Sequence, residues 1–248
     1  MPGPMAAPIH IAMWSGPRNV STALLRSFGS RADTAVCDEP LYAHYLAVTG
    51  LPHPGAQQII ARHDADWRSV AGWLTGPVPD GRRVFYQKHM AHHLLPEIGR
   101  EWLEGLSHAF LIRRPAAMLA SLVQVIPSPR LVDTGLPQQV ELFERLLERD
   151  GVPPPVIDSD DLLADPAGVL ARLCERLGLP FAAEMLAWEP GPRPTDGCWA
   201  PHWYASVEAS TGFHPYAPSR KHLPASLEPL AEACEELYER LAAHRLTA

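Results

Sequence analysis

The chain has 248 residues, 46% of them apolar and 20% charged, enough for one generous domain with a full core or two small ones. A formal charge of −7 excludes a broad nucleic-acid or anionic-membrane surface, since both demand clustered positive charge, although a locally basic pocket can still hold a small anion. No run of about 18 apolar residues is present and residues 1–8 lack a basic stretch followed by an apolar one, so the expectation is a soluble cytoplasmic protein without a membrane span or secretory signal.

Residues 9–14 are a short apolar run followed by Ser15-Gly16-Pro17, and residues 20–28 place Leu24, Leu25 and Phe28 at helical spacing, which predicts strand, turn and helix. Residues 34–37 form a second strand ending in Asp38-Glu39-Pro40, and residues 41–48 a helix. Residues 56–75, with Ile59, Ile60, Trp67, Val70 and Trp73, make one or two helices. Residues 83–87 read as a strand ending at Lys88-His89. Residues 108–112 are a further buried strand, with Arg113-Arg114-Pro115 at its end and an apolar helix over 116–125. An amphipathic helix over 136–149 and a proline-marked strand over 152–157 follow. A helix over 165–177 is capped by Asp165, begun by Pro166 and stopped by Gly178. Residues 189–202, rich in proline, glycine and tryptophan without a period, are an ordered loop. The last helix, 227–246, carries a stripe of Leu227, Leu230, Cys234, Leu237 and Leu241, expected to pack on the domain's own sheet, with a homodimer seam as the alternative. Strands alternating with helices imply an α/β architecture of three layers, a parallel sheet covered on both faces. Cys37, Cys174, Cys198 and Cys234 lie far apart without CxxC pairing, which argues against a zinc knuckle or disulfide framework.

The segment Ser15-Gly16-Pro17-Arg18-Asn19-Val20-Ser21-Thr22 joins the first strand to the first helix, at the sheet edge where ligands of α/β proteins gather. With Asn19 as N-cap, the free N–H groups of the first turn, the Ser21 and Thr22 hydroxyls and the Arg18 charge make an anion cradle; the alternative is an ordinary capped helix. A triphosphate loop requires Gly-x-x-x-x-Gly-Lys-Ser/Thr, but Val20 occupies the lysine position and Trp14 that of the first glycine, a poor match to an ATPase or kinase. Arg113, at a strand terminus, can grip a phosphate in bidentate fashion, and Ser121 follows eight residues on. Lysine stands only at Lys88 and Lys221, every other basic residue being arginine. A compact ammonium and a planar fork differ in what they can do, so these two positions stand out.

In order and spacing, residues 9–181 resemble the sulfotransferases that use 3′-phosphoadenosine 5′-phosphosulfate, and the resemblance implies a single P-loop-type domain over 1–248, its part after 181 being variable and acceptor-facing. Gly16-Pro17-Arg18-Asn19-Val20-Ser21-Thr22 is similar to that family's 5′-phosphosulfate loop, with Arg18 at the basic position and Ser21 and Thr22 at the hydroxyl positions. Arg113 and Ser121 are similar to the arginine and serine that bind the 3′-phosphate, and Pro115 matches its proline; Arg114 stands where Asp or Asn is usual. Residues 160–163 and Leu177-Gly178-Leu179-Pro180 are similar to the framework that follows. Arg220 and Lys221 resemble the basic cluster that closes a late loop over the 3′-phosphate, without its flanking glycines.

The implied activity is transfer of a sulfuryl group to a hydroxyl or amine of a small acceptor, with no metal required where side-chain cations oppose the charge growing on the leaving bisphosphate. Arg18 and Lys88 are the candidates for that work. For the general base, Glu39 resembles the glutamate of the carbohydrate-directed branch, and His89 is the competitor. The small-molecule branch places its histidine two residues after the lysine, where this chain has Met90, and strand alternation turns His89 away from Lys88, so Glu39 is favoured. His89, His92 and His93 form no recognisable metal motif. Trp199, His202, Trp203 and Tyr204 either wall an acceptor pocket or plug the core beneath the long loop. The rival functions are a nucleotide-dependent kinase with an altered loop and a non-catalytic nucleotide-binding module.

Overall fold

The computed structural model describes residues 7–214 and 223–247; Arg220 and Lys221 lie outside the described residues. Five strands, β1 (Ile9–Ser15), β2 (Thr34–Asp38), β3 (Val84–Met90), β4 (Ser107–Ile112) and β5 (Val156–Asp158), form one sheet in the order β2-β3-β1-β4-β5 with every pair parallel. Alternation along the strands builds a core on each face. Ala12, Trp14, Phe85, Phe110 and Ile112 point to one face, beneath α4 (Trp67–Leu74), α5 (Pro115–Leu122), α6 (Leu136–Asp150) and α11 (Glu228–Ala242). Ile11, Met13, Val84, Tyr86, Ala109, Leu111 and Ile157 point to the other, beneath α1 (Ser21–Gly29) and α8 (Pro166–Arg176). This is the three-layer α/β arrangement that the alternating pattern predicts.

A third, smaller core lies beyond the sheet edge, where α2 (Tyr42–Thr49) and α3 (Ala56–Arg62) pack with Trp199 and Tyr204. The long loop is thus a plug: Trp199 is 1% exposed. Its approach is fixed by a buried bidentate pair, Arg26 to Asp196 at 2.5 and 2.7 Å. Two one-turn helices, α9 (Ala200–Trp203) and α10 (Ala205–Glu208), then carry Tyr204 over the sheet edge.

Several boundaries differ from the sequence expectation. β5 is three residues rather than a strand over 152–157, because Pro153, Pro154 and Pro155 have no N–H to give to a ladder. An additional helix, α7 (Ser159–Ala164), follows at once, its first turn capped by Asp158, which accepts from Asp160 N at 2.7 Å. Asp165 then caps α8 by accepting from Gly168 N, as its sequence context predicts. β3 runs on to Met90, so Lys88 and His89 sit inside the strand and obey its alternation. The α11 stripe turns inward, Cys234 and Leu241 being buried against α5 and α6. Among the described residues no helix is long and apolar enough to cross a membrane.

Candidate active site

The C-terminal ends of the strands open into one cavity of about 680 Å³. Its walls include Pro17, Arg18, Asn19, Val20, Ser21 and Thr22 from the β1–α1 turn, Glu39 after β2, Lys88 in β3, Arg113 after β4 and Ser121 in α5. Residues more than a hundred positions apart therefore share one space, because parallel strands all end at the same edge.

The β1–α1 turn is built differently from a simple capped helix. Asn19 was expected as N-cap, but that position belongs to Val20, at φ 58° and with no side-chain cap. The Asn19 side chain is instead buried and donates from Nδ2 to Leu111 O at 3.2 Å, tying the turn to β4. Ser21, Thr22 and Ala23, the first turn of α1, line the cavity. Arg18 and Val20 both hold the left-handed conformation, costly for a β-branched valine, of order 1–3 kcal/mol each. Gly16 is required by close approach: a Cβ there would lie 2.4 Å from Thr134 O. The Gln139 amide of α6 satisfies both its neighbours when its oxygen faces Gly16 N at 3.2 Å and its nitrogen faces Leu111 O at 3.3 Å.

Arg18 and Arg113 meet. Arg18 Nε donates to Ser121 Oγ at 3.0 Å, and Arg113 donates from a terminal guanidinium nitrogen to Arg18 O at 2.6 Å. Burial, and then the like charge of Arg113, lower the proton affinity of Arg18. Two guanidiniums crowded into a half-buried cleft define a place where an anion is stabilised.

On the other side of the turn, Lys88 Nζ donates to Asp38 Oδ1 at 2.8 Å, to Glu39 Oε1 at 2.7 Å and to Tyr204 OH at 2.8 Å. Asp38 and Lys88 are register partners on neighbouring strands, which accounts for their pairing. Burial raises the Glu39 proton affinity above that of an ordinary carboxylate, against the opposing pull of Lys88. His89, the competing candidate for the base, does not line the cavity. Its ring stacks on Trp14 at 4.4 Å on the opposite face of the sheet, and burial lowers its pKa to about 3.

The remaining wall is aromatic. Tyr42 stacks on His93 at 4.6 Å and pairs through its hydroxyl with His53 Nδ1 at 2.9 Å, while Tyr45 packs against both His92 and His93. Burial keeps the imidazoles neutral, lowering His92 to about 3 and His93 well below its ordinary value. No group of three His, Cys, Asp or Glu side chains among the described residues is arranged to hold a metal ion. The aromatic cluster after residue 198 divides its roles. Trp199 is plug, Trp203 and Tyr204 line the cavity, and His202 is exposed.

Asp38 and Gln139 had no role in the sequence reading, and Tyr204 was placed there only as pocket wall or core plug, not as a partner of Lys88. Asp38 precedes Glu39 in a quoted motif and its strand parity matches that of a residue facing Lys88. Gln139 and Tyr204 reach the site only through tertiary packing, which no local pattern encodes.

The sulfotransferase domain family model matches residues 9–243. Branched-chain-amino-acid aminotransferase-like protein 1 of Arabidopsis thaliana is 38% identical over 241 residues, covering 97% of this chain and 43% of that protein. Its companion, protein 2 of the same plant, is 37% identical over 236 residues, covering 94% and 41%. The chain thus spans about two-fifths of the length of these curated relatives. Among solved structures, the sulfotransferase domain from the curacin biosynthetic pathway matches with a TM-score of 0.55 at 18% identity, over 97% of this chain and 99% of that one. The sulfotransferase from Alicyclobacillus acidocaldarius matches with a TM-score of 0.54 at 16% identity, over 97% and 98%. At such identities the structural likeness speaks for the fold alone, the P-loop-like fold of sulfotransferases. On the family match across nearly its whole length, the chain belongs to the sulfotransferase domain family.

Proposed function

We propose that this chain is an enzyme that transfers a sulfuryl group from 3′-phosphoadenosine 5′-phosphosulfate to a hydroxyl or amine of a small acceptor. The observation that carries the reading is the convergence of Arg18, Arg113, Ser121 and the α1 N-terminus on the same cavity as Glu39 and Lys88. The 5′-phosphosulfate fits the turn over residues 16–22, where helix N–H groups and the Ser21 and Thr22 hydroxyls supply donors. The 3′-phosphate fits Arg113 and Ser121, and Arg18 joins the two ends.

In the reaction, the acceptor oxygen or nitrogen forms a bond to sulfur as the bond from sulfur to the 5′-phosphate oxygen breaks. The acceptor proton passes to Glu39, and adenosine 3′,5′-bisphosphate leaves. Fixed donors aimed at the leaving phosphate lower the barrier as charge builds there. Lys88 has all three protons engaged by Asp38, Glu39 and Tyr204, so its charge acts on the acceptor end; touching the donor requires one of those bonds to open. Tyr42, Tyr45, His92 and His93 offer the acceptor flat, neutral surfaces.

The kinase alternative places no lysine in the loop, since left-handed Val20 occupies that position. The test is incubation with the labelled donor and a panel of phenols, alcohols and amines in the presence of a metal chelator. Release of adenosine 3′,5′-bisphosphate in step with a sulfated product supports the reading. Silence across the panel together with magnesium-dependent phosphoryl transfer from ATP overturns it. Donor binding without turnover in either assay favours the non-catalytic module.

A further inference from the structure

The side-chain donors around Lys88 are all in use. The ammonium's three protons go to Asp38, Glu39 and Tyr204. The Tyr204 hydroxyl gives its one proton to Asp38 Oδ2 at 2.6 Å and accepts from Lys88 and from Trp199 Nε1 at 3.1 Å. Asp38 and Lys88 are each 1% exposed, whereas Glu39 keeps 12% exposure and lines the cavity. One cation therefore serves two carboxylates, one sealed and one open to ligand.

Consecutive strand residues face opposite ways, so residues 38 and 39 would ordinarily be unable to grip the same ammonium. Glu39 does so because it leaves β2 at φ 42°, a left-handed conformation that breaks the alternation. Strain of this kind is retained where the surrounding structure enforces it. We propose that Asp38 is a positioning residue, which takes up the Lys88 charge from the sealed side so that cavity-facing Glu39 keeps the affinity for a proton that a base needs. The proposal rests on the reading of Glu39 as the base.

A carboxylate that faces a buried ammonium alone is held firmly ionised and makes a poor base. Here burial raises the Glu39 proton affinity, Lys88 lowers it and the Asp38 charge raises it again. The other titratable groups around the unit are Tyr204 between α9 and α10, Tyr42 of α2, Tyr86 of β3, Cys37 of β2, His93 after β3 and His63 after α3. Burial raises the three phenols and the thiol, so they stay protonated, and lowers both imidazoles towards their neutral form, which leaves Asp38 and Lys88 as the charges that set the balance.

The experiment titrates glutamate side chains labelled with ¹³C at the carboxyl carbon. The Glu39 resonance is assigned by its loss in Glu39→Gln, and no acceptor is needed. Wild-type Glu39 should titrate above 4.5, and Asp38→Asn should move its midpoint down by about one unit or more, because Lys88 then pairs with Glu39 alone. Asp38→Ser should give the same shift and serves if the asparagine variant fails to fold. A Glu39 midpoint that stays or rises in a folded Asp38 variant overturns the proposal. Full turnover in Glu39→Gln would instead reject Glu39 as the base, a failure separable from the first.

Discussion

In the proposed reaction Glu39 answers two opposed demands: as the base it must hold a proton well enough to take one from the acceptor, yet it must be ionised at the working pH. Burial raises its proton affinity and Lys88 opposes that rise, which leaves it above the ordinary carboxylate value. A raised carboxylate is protonated, and inactive as a base, at pH values where an exposed one is still ionised. The acid limb of a kcat/KM profile should therefore fall above pH 4.5, activity being lost as pH drops through it. Glu39→Gln should cost about 100-fold to 10,000-fold in kcat in the same assay. Arg18→Ala should lower turnover by about 100-fold to 1,000-fold, and retention of full turnover would remove it from the catalytic account. Ser121→Ala should weaken adenosine 3′,5′-bisphosphate binding by about 1.5–3 kcal/mol in calorimetry, the contribution of a hydrogen bond to a charged group. Arg18 and Glu39 were legible as polar side chains just past a strand end, whereas Ser121, inside α5, was legible only through the family resemblance. Asp38 was legible in position but not in role, since its value depends on a register partner fifty residues away. His89 shows what alternation can decide: one step along β3 exchanges the cavity for a ring stacked on Trp14.

At the scale of elements, the site depends on turns whose shape is set from a distance. Gly16 passes so close to Thr134 O that Gly16→Ala should displace the β1–α1 turn and abolish nucleotide binding while the far-ultraviolet spectrum stays native. A variant that binds nucleotide normally would show that the turn tolerates displacement. The Arg26–Asp196 pair anchors the loop that delivers Trp199 and Tyr204, and both partners are buried. Asp196→Ala leaves a buried guanidinium without that partner and should lower unfolding free energy by about 3–5 kcal/mol in urea titration. A loss under about 1 kcal/mol would mean the loop is held by its aromatic plug alone. The strands and long helices were readable from periodicity, and the Asp165 cap from its neighbouring proline. What escaped was non-periodic: the left-handed Val20 in place of an Asn19 cap, the α7 turn, and the buried pair that anchors the plug after residue 188. Each is fixed by partners on other elements, Leu111 for Asn19 and Arg26 for Asp196.

For the molecule as a whole, the sheet order β2-β3-β1-β4-β5 puts β1 at the centre, with β3 and β4 on either side. That placement brings Lys88 and Arg113 to flank the same turn. The resemblance in the sequence was confined to residues 9–181, whereas the family match extends to residue 243, through the plug and the last helix. The plug holds its place by packing rather than by a short motif, and Tyr204 within it completes the Lys88 unit. Binding of the proposed nucleotide across β1 and β4 should couple to global stability. At a hundred times Kd, adenosine 3′,5′-bisphosphate should add about 2.7 kcal/mol to unfolding free energy.

The most direct test of the proposed grip on both phosphates is calorimetric binding of adenosine 3′,5′-bisphosphate and adenosine 5′-monophosphate, without metal, to the wild type and to Arg113→Ala. The wild type should prefer the bisphosphate, and the preference should disappear in the variant. Equal affinity of the wild type for both nucleotides, or a preference that survives loss of Arg113, would contradict it.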